Sequence, residues 1–106
     1  VMDILKVSTE DAPNSDFIGW RPKENSKFLP YVWMTRGEFL EKVFHIGSGL
    51  AAFNFERQTK IGLYSINRPE WLLAEYSCYY NDFVNVPLYD TLGDEAIIFI
   101  CNQTEM

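Results

Sequence analysis

A single histidine and two cysteines leave little room for metal or thiol chemistry in these 106 residues. His45 has no second histidine or nearby cysteine with which to form a compact metal-ligand motif, so it reads as an ordinary helix-surface or half-buried residue. Cys78 and Cys101 are too few for a disulfide scaffold. Both lie in apolar helical patterns, where a reduced thiol is the usual state, and this points to an intracellular, reducing compartment. The longest apolar run, Ala96 to Cys101, falls well short of the roughly 18 to 20 residues that a membrane span requires. Glycine is sparse, and its one cluster, Gly47-Ser48-Gly49, lies inside a helical pattern. A phosphate cradle needs such a cluster between a strand and a helix.

Positive charge is missing from the C-terminal third. No Lys or Arg follows Arg68, so the first 69 residues sum to 9 − 8 = +1 and the rest to −7, giving −6 in all. A surface of that sign repels phosphate backbones and anionic lipid headgroups alike, which argues against a nucleic-acid module.

What is present belongs to a globular core: 47% of residues are hydrophobic and 23% charged. The length allows one domain at most. Eight Phe, six Tyr and three Trp are a heavy load for it, because a domain of this size buries only about 60 to 65% of the surface its unfolded chain exposes. Part of that load is expected to face further protein. With an opening on Val1 and a stop at Met106, the chain reads as a piece of something longer.

Residues 1–30 carry weak periodicity and most of the turn signals, Ala12-Pro13-Asn14-Ser15, Arg21-Pro22 and Leu29-Pro30, and read as a loop-rich lead-in. Residues 31–106 read as an incomplete N-terminal part of an α/β domain. Thr35 and Glu38 make a capping box with a Met34/Phe39 staple across it, and apolar residues from Phe39 to Ala51 predict a helix over 35–53. Gly47 and Gly49 each cost about 1 kcal/mol there, and close approach of another backbone at Gly47 would offset that cost. Lys60 to Ile66 predicts a strand. Asn67, Pro69 and Glu70 open a helix after it, with Trp71, Leu72, Ala74, Cys78 and Tyr79 as the buried stripe. Phe83 to Val86 predicts a second strand, broken by Pro87. Thr91 caps a last helix, whose Leu92, Ala96, Ile97, Phe99 and Ile100 predict burial on more than one side. Strand, helix, strand, helix implies an α/β fold with parallel strands and flanking helices.

No side chain earns a catalytic, cofactor-binding or metal-binding role from this pattern. Ser48, Ser65 and Ser77 have no nucleophile-elbow context. Glu38 and Glu70 are taken up as helix caps, and the Asn102-Gln103-Thr104 sequon is treated as chance. Ligands of open α/β sheets gather at the carboxyl ends of strands, which directs attention to Asn67-Arg68 and to Tyr89-Asp90-Thr91. Plain turn and cap roles explain both groups better.

Two runs go further. Ile61-Gly62-Leu63-Tyr64-Ser65-Ile66-Asn67-Arg68-Pro69-Glu70-Trp71 and Val86-Pro87-Leu88-Tyr89-Asp90-Thr91-Leu92-Gly93 resemble the N-terminal region of long-chain fatty acyl-CoA synthetases, within the adenylate-forming superfamily. Tyr31-Val32-Trp33-Met34-Thr35, followed by Ile46-Gly47-Ser48-Gly49-Leu50, is similar to the same family's first helix. Arg36-Gly37 and the short link from Phe53 to Lys60 depart from the pattern. The resemblance implies a ligase that uses ATP and Mg²⁺ to make an acyl-adenylate from a long-chain fatty acid, and then coenzyme A to make the thioester. Such a parent would work in the cytosol or on the cytosolic face of endoplasmic reticulum, mitochondrial or peroxisomal membranes, with membrane association of the parent left open. The family's Ser/Thr/Gly-rich loop ending in Lys, acidic ribose ligand, metal-binding Glu and mobile Lys do not occur in residues 1–106. The segment is therefore expected to bind no cofactor and to act as scaffold. A free-standing non-catalytic module that binds a lipid or protein, and a sister enzyme for another carboxylic acid, are the alternatives.

Overall fold

A computed structural model describes residues 1–106. The elements run α1 (Met2–Asp11), β1 (Asp16–Trp20), β2 (Lys23–Glu24), β3 (Lys27–Phe28), β4 (Val32–Thr35), α2 (Arg36–Ala51), β5 (Lys60–Ser65), α3 (Pro69–Tyr80), β6 (Val84–Tyr89) and α4 (Asp94–Thr104). β1 and β4 pair antiparallel, β2 and β3 form a hairpin, and β5 and β6 pair in parallel from Lys60↔Val84 to Ser65↔Tyr89. The α/β expectation holds in its main feature, the parallel pair with helices after each strand.

α2 begins as the capping box dictates. The Glu38 amide donates to Thr35 Oγ1 at 3.2 Å and the Thr35 amide to Glu38 Oε2 at 3.0 Å, satisfying donors that the first turn leaves open. Met34 and Phe39 on either side of that cap are both buried and share one core with Leu5, Val43 and Leu73. Phe17 and Tyr76 meet the Phe39 ring edge-on, with centroids 5.1 and 5.4 Å away.

The lead-in is more ordered than its turn signals suggest. α1 places Leu5 and Thr9 in the core, and β1 pairs with β4. α1 escaped detection because it turns only those two residues inward and leaves Ile4 and Val7 outside, so its apolar positions trace no single stripe. Arg36 and Gly37 tie this segment down. Arg36 Nε donates to Ser15 Oγ at 3.0 Å, its guanidinium lies 4.8 Å from the Phe17 ring centroid, and the Gly37 amide donates to the Pro13 carbonyl at 2.9 Å.

Three further expectations need correction. Pro87 does not break the second strand, because β6 continues to Tyr89. The Val84 amide donates to the Thr59 carbonyl at 2.9 Å, and alternation along the strand turns the Pro87 nitrogen to the free edge, where no donor is needed. Of the predicted stripe α3 buries only Cys78, joined by Leu73 and Ser77, while Trp71, Leu72 and Ala74 are half-buried and Tyr79 is exposed. α3 lies between α2 and the parallel sheet, so apolar periodicity marks no single side. α4 has no buried residue at all, and Ile98 and Phe99 are 59% and 65% exposed. Nothing in residues 1–106 covers that side of it.

Candidate functional site at the carboxyl ends of the parallel strands

At the end of β5 the chain passes through Ile66, Asn67 and Arg68 before Pro69 opens α3. Arg68 is extended, as a residue before proline must be, and it occupies the N-cap position without a side-chain cap bond. Asn67 is therefore not the cap. Glu70 is not a cap either: Arg68 Nε donates to Glu70 Oε2 at 3.1 Å and Arg68 Nη2 to Glu70 Oε1 at 3.3 Å. This fork holds the Glu70 carboxyl below its ordinary range and pushes the Arg68 guanidinium up. Both side chains are solvent-exposed, so the pair orients itself locally and adds little to stability.

An open cleft of about 240 Å³ lies between Ile18, Gly19 and Trp20 of β1 and Asn67, Arg68, Pro69 and Leu72. A second of about 370 Å³ shares Gly19, Trp20 and Asn67 and reaches Arg21, Phe28 and Tyr31. Asn67 is the one positional candidate common to both. The other candidates, Tyr89, Asp90 and Thr91, are exposed at the end of β6. Gly93, not Thr91, is the N-cap of α4, with no side-chain cap bond. No hydrogen bond joins the Tyr89–Thr91 group to Asn67 or Arg68.

The remaining candidates disperse. His45 and Ser48 are exposed on α2. Ser65 Oγ donates to the neighbouring Ile66 carbonyl, and buried Ser77 Oγ donates to the carbonyls of Leu73 at 2.6 Å and Val43 at 3.3 Å. Both hydroxyls are engaged by backbone, with no base beside them. Gly47 is tightly approached as expected, but by a side chain: a Cβ there would meet Tyr80 Cδ1 at 2.6 Å.

One polar cluster leaves no trace in the sequence. Tyr79 Oη donates to Glu75 Oε1 at 2.9 Å, and Asn85 Nδ2 donates to the same atom at 3.1 Å, joining α3 to β6. Burial and this carboxylate push the Tyr79 phenol up to about 12 and raise the Cys78 thiol. A thiol and a phenol held protonated are poor nucleophiles and bases, so the cluster fastens a helix to a strand. No three His, Cys, Asp or Glu side chains converge to hold a metal ion, and no helix is long and apolar enough to cross a membrane.

Residues 18–106 match the family described as AMP-binding enzyme. The chain is 38% identical, over 98% of its length, to long chain acyl-CoA synthetase 1 of Arabidopsis thaliana, and 38% identical over 93% to the same plant's peroxisomal long chain acyl-CoA synthetase 7. It spans only 16% and 14% of those two relatives. Among solved structures it superposes on a fatty acid AMP ligase from Legionella pneumophila with TM-score 0.82, covering 97% of this chain and 18% of that one at 17% identity. It also superposes on the O-succinylbenzoate coenzyme A synthetase of Bacillus subtilis in complex with ATP and magnesium, with TM-score 0.72, 92% and 24% coverage, and 18% identity. These two likenesses establish a shared fold.

Proposed function

This chain belongs to the AMP-binding enzyme family, and from that membership we propose that it is the N-terminal scaffold of a long-chain fatty acid–CoA ligase. The observation that carries the reading is identity to long chain acyl-CoA synthetases over nearly all of residues 1–106. In the proposed reaction a fatty-acid carboxylate oxygen attacks the α-phosphorus of ATP and expels pyrophosphate. The sulfur of coenzyme A then attacks the acyl carbon and expels AMP. The first step is needed because a carboxylate is a poor electrophile until its oxygen joins a good leaving group. The peroxisomal names of two relatives support a parent that acts inside the cell.

Residues 31–106, with the lead-in 1–30 docked on them, would form part of the adenylation domain. Their role is positional. Holding nucleotide and acid together can supply about 7 to 11 kcal/mol of barrier lowering, and that task falls to residues outside this chain. β5, β6 and the helices after them would back the site.

The test is a pyrophosphate-release assay on the full-length protein. Release from ATP that requires a long-chain fatty acid, followed by acyl-CoA formation, is the expected result. Release driven only by a different carboxylic acid would make the protein a sister adenylating enzyme. Residues 1–106 alone are expected to do neither step. Saturable micromolar binding of Mg-ATP to them, measured by titration calorimetry, would overturn the scaffold role and direct attention to the helix starts at Pro69 and Asp94.

A further inference from the structure

β5 and β6 keep one offset along their whole length, from Lys60↔Val84 to Ser65↔Tyr89, which is 84 − 60 = 24 residues. Little in their side chains enforces it. Val84, Val86, Pro87, Leu88 and Tyr89 make β6 apolar at almost every position, and a strand without clear alternation specifies its register weakly. The connections constrain the pair unequally. Residues 66–68 join β5 to α3 and residues 81–83 join α3 to β6, whereas α2 reaches β5 through the longer link 52–59. That link is where β5 has room to slide.

The link is fastened at Asp82. Arg57 Nε and Nη2 both lie 2.6 Å from Asp82 Oδ2, and Gln58 Nε2 donates to Asp82 Oδ1 at 2.7 Å. The Gln58 amide donates to the Asp82 carbonyl at 2.8 Å, and the Val84 amide to the Thr59 carbonyl at 2.9 Å. Gln58 and Asp82 stand 24 residues apart, the offset of the strands themselves. Their bonds therefore carry the ladder beyond Lys60↔Val84 in the same register. Both residues are left-handed, with φ of 64° and 58°. Asp tolerates that region better than Gln does, and backbone conformation alone would favour glycine at either position. The side chains there hold a strained backbone in place. Phe55 adds an edge-on contact to Phe83, with centroids 6.0 Å apart.

We propose that Asp82, gripped by Arg57 and Gln58, is a register clasp that fixes β6 against β5 from their amino ends. The consequence reaches the opposite end of the sheet. A slip of two residues, the smallest that keeps each side chain on its own face, would move Tyr89-Asp90-Thr91 by about 6.6 Å relative to Asn67-Arg68. The clasp is thus a positioning device for the loops at the carboxyl ends. It is made of bonds within residues 57–84, so it depends neither on what covers them nor on the ligase reading.

The test is amide hydrogen exchange of the full-length protein, read by mass spectrometry on peptides from both strands. Asp82→Gly and Gln58→Gly each relieve a left-handed side chain while removing part of the clasp. Both are expected to exchange about tenfold faster than the parent over residues 58–65 and 83–89, with α2 unchanged. Arg57→Gln should stay within about twofold, because an exposed ion pair alone adds little. Far-ultraviolet dichroism identical to the parent's checks folding. If glycine unfolds the chain, Asp82→Asn decides, since it keeps an acceptor for Gln58 and should speed exchange about threefold; exchange equal to the parent's would then overturn the clasp. Three further results would overturn it: slower or unchanged exchange in both glycine variants, acceleration confined to residues 57–60 and 82–84, or uniform acceleration that includes α2.

Discussion

Asn81 donates its side-chain amide to the Gly47 carbonyl at 2.8 Å, and the Tyr80 ring next to it fills the space a Gly47 side chain would need. The end of α3 is thus clamped to the middle of α2 at a position where only glycine fits. Gly49, two residues on, has nothing within 4 Å of where its Cβ would stand. The two glycines are expected to respond oppositely to one substitution. Gly47→Ala forces the Tyr80 ring to move and should destabilise by about 1 to 3 kcal/mol. Gly49→Ala removes a helix penalty without a clash and should stabilise by about 0.5 to 1 kcal/mol. Urea unfolding of both variants checks this, and a stabilising Gly47→Ala would refute the clamp.

Arg36 holds the lead-in through Ser15 and Ser8, at 3.0 and 3.4 Å, and through the Phe17 ring. Arg36→Ala is expected to loosen α1 and β1 while α2, α3 and the parallel pair keep their protection. Amide hydrogen exchange reads this segment by segment. Faster exchange confined to about residues 2–20 is the expected pattern, and uniform acceleration would show that Arg36 supports the whole fold.

The elements that were legible in the sequence announce themselves locally. Thr35 and Glu38 lie three residues apart and satisfy each other's backbone donors, so the start of α2 could be read directly. β5 and β6 were legible as short apolar runs, though Pro87 hid the second half of β6, because the side of a strand that needs no donor depends on which neighbour is present. α3 and α4 differ from the sequence expectation for one shared reason. Periodicity reports which residues are apolar, and burial depends on what lies against them. α3 is contacted from two sides and buries Ser77, whereas α4 is contacted on little of its surface and leaves Phe99 exposed. At the candidate site, position was legible and partnership was not. Asn67 and Arg68 do lie at a strand end beside a cleft, but only the structure shows Glu70 occupied by Arg68 and Glu75 by Tyr79 and Asn85.

Ile98 and Phe99 face solvent on α4, and Tyr64 and Tyr89 are exposed on the parallel strands. Apolar surface of this kind on an otherwise acidic chain drives association. Residues 1–106 by themselves are expected to elute from size exclusion as a concentration-dependent mixture, and Ile98→Lys/Phe99→Lys should shift the mixture toward monomer. Partial covering by the core makes Tyr76 a poor target for the same purpose, since its ring meets Phe39 at 5.4 Å. A sharp, concentration-independent monomer peak for the parent would favour a free-standing module.

Tyr79 gives the chain a defined response to alkali. Its phenol is pushed up to about 12, first by burial and then by the hydrogen bond to Glu75, with the Glu75 charge opposing a second negative charge beside it. An unfolded tyrosine ionises near 10. Between these values the folded chain keeps the proton and the unfolded chain releases it. The contribution is therefore fully present below pH 10 and is lost progressively as pH rises toward 12. Because Tyr79 is 36% exposed, solvent screens part of the effect, and the direction is the firm expectation. Absorbance at tyrosinate wavelengths should show one phenol titrating near 12 in the parent and missing from Tyr79→Phe. Glu75→Gln removes the opposing charge but keeps an acceptor, so it should bring that midpoint part of the way back toward 10. A Tyr79 midpoint already near 10 in the folded parent would mean that the Glu75, Tyr79 and Asn85 cluster does not form and that α3 is held to β6 by apolar contact alone.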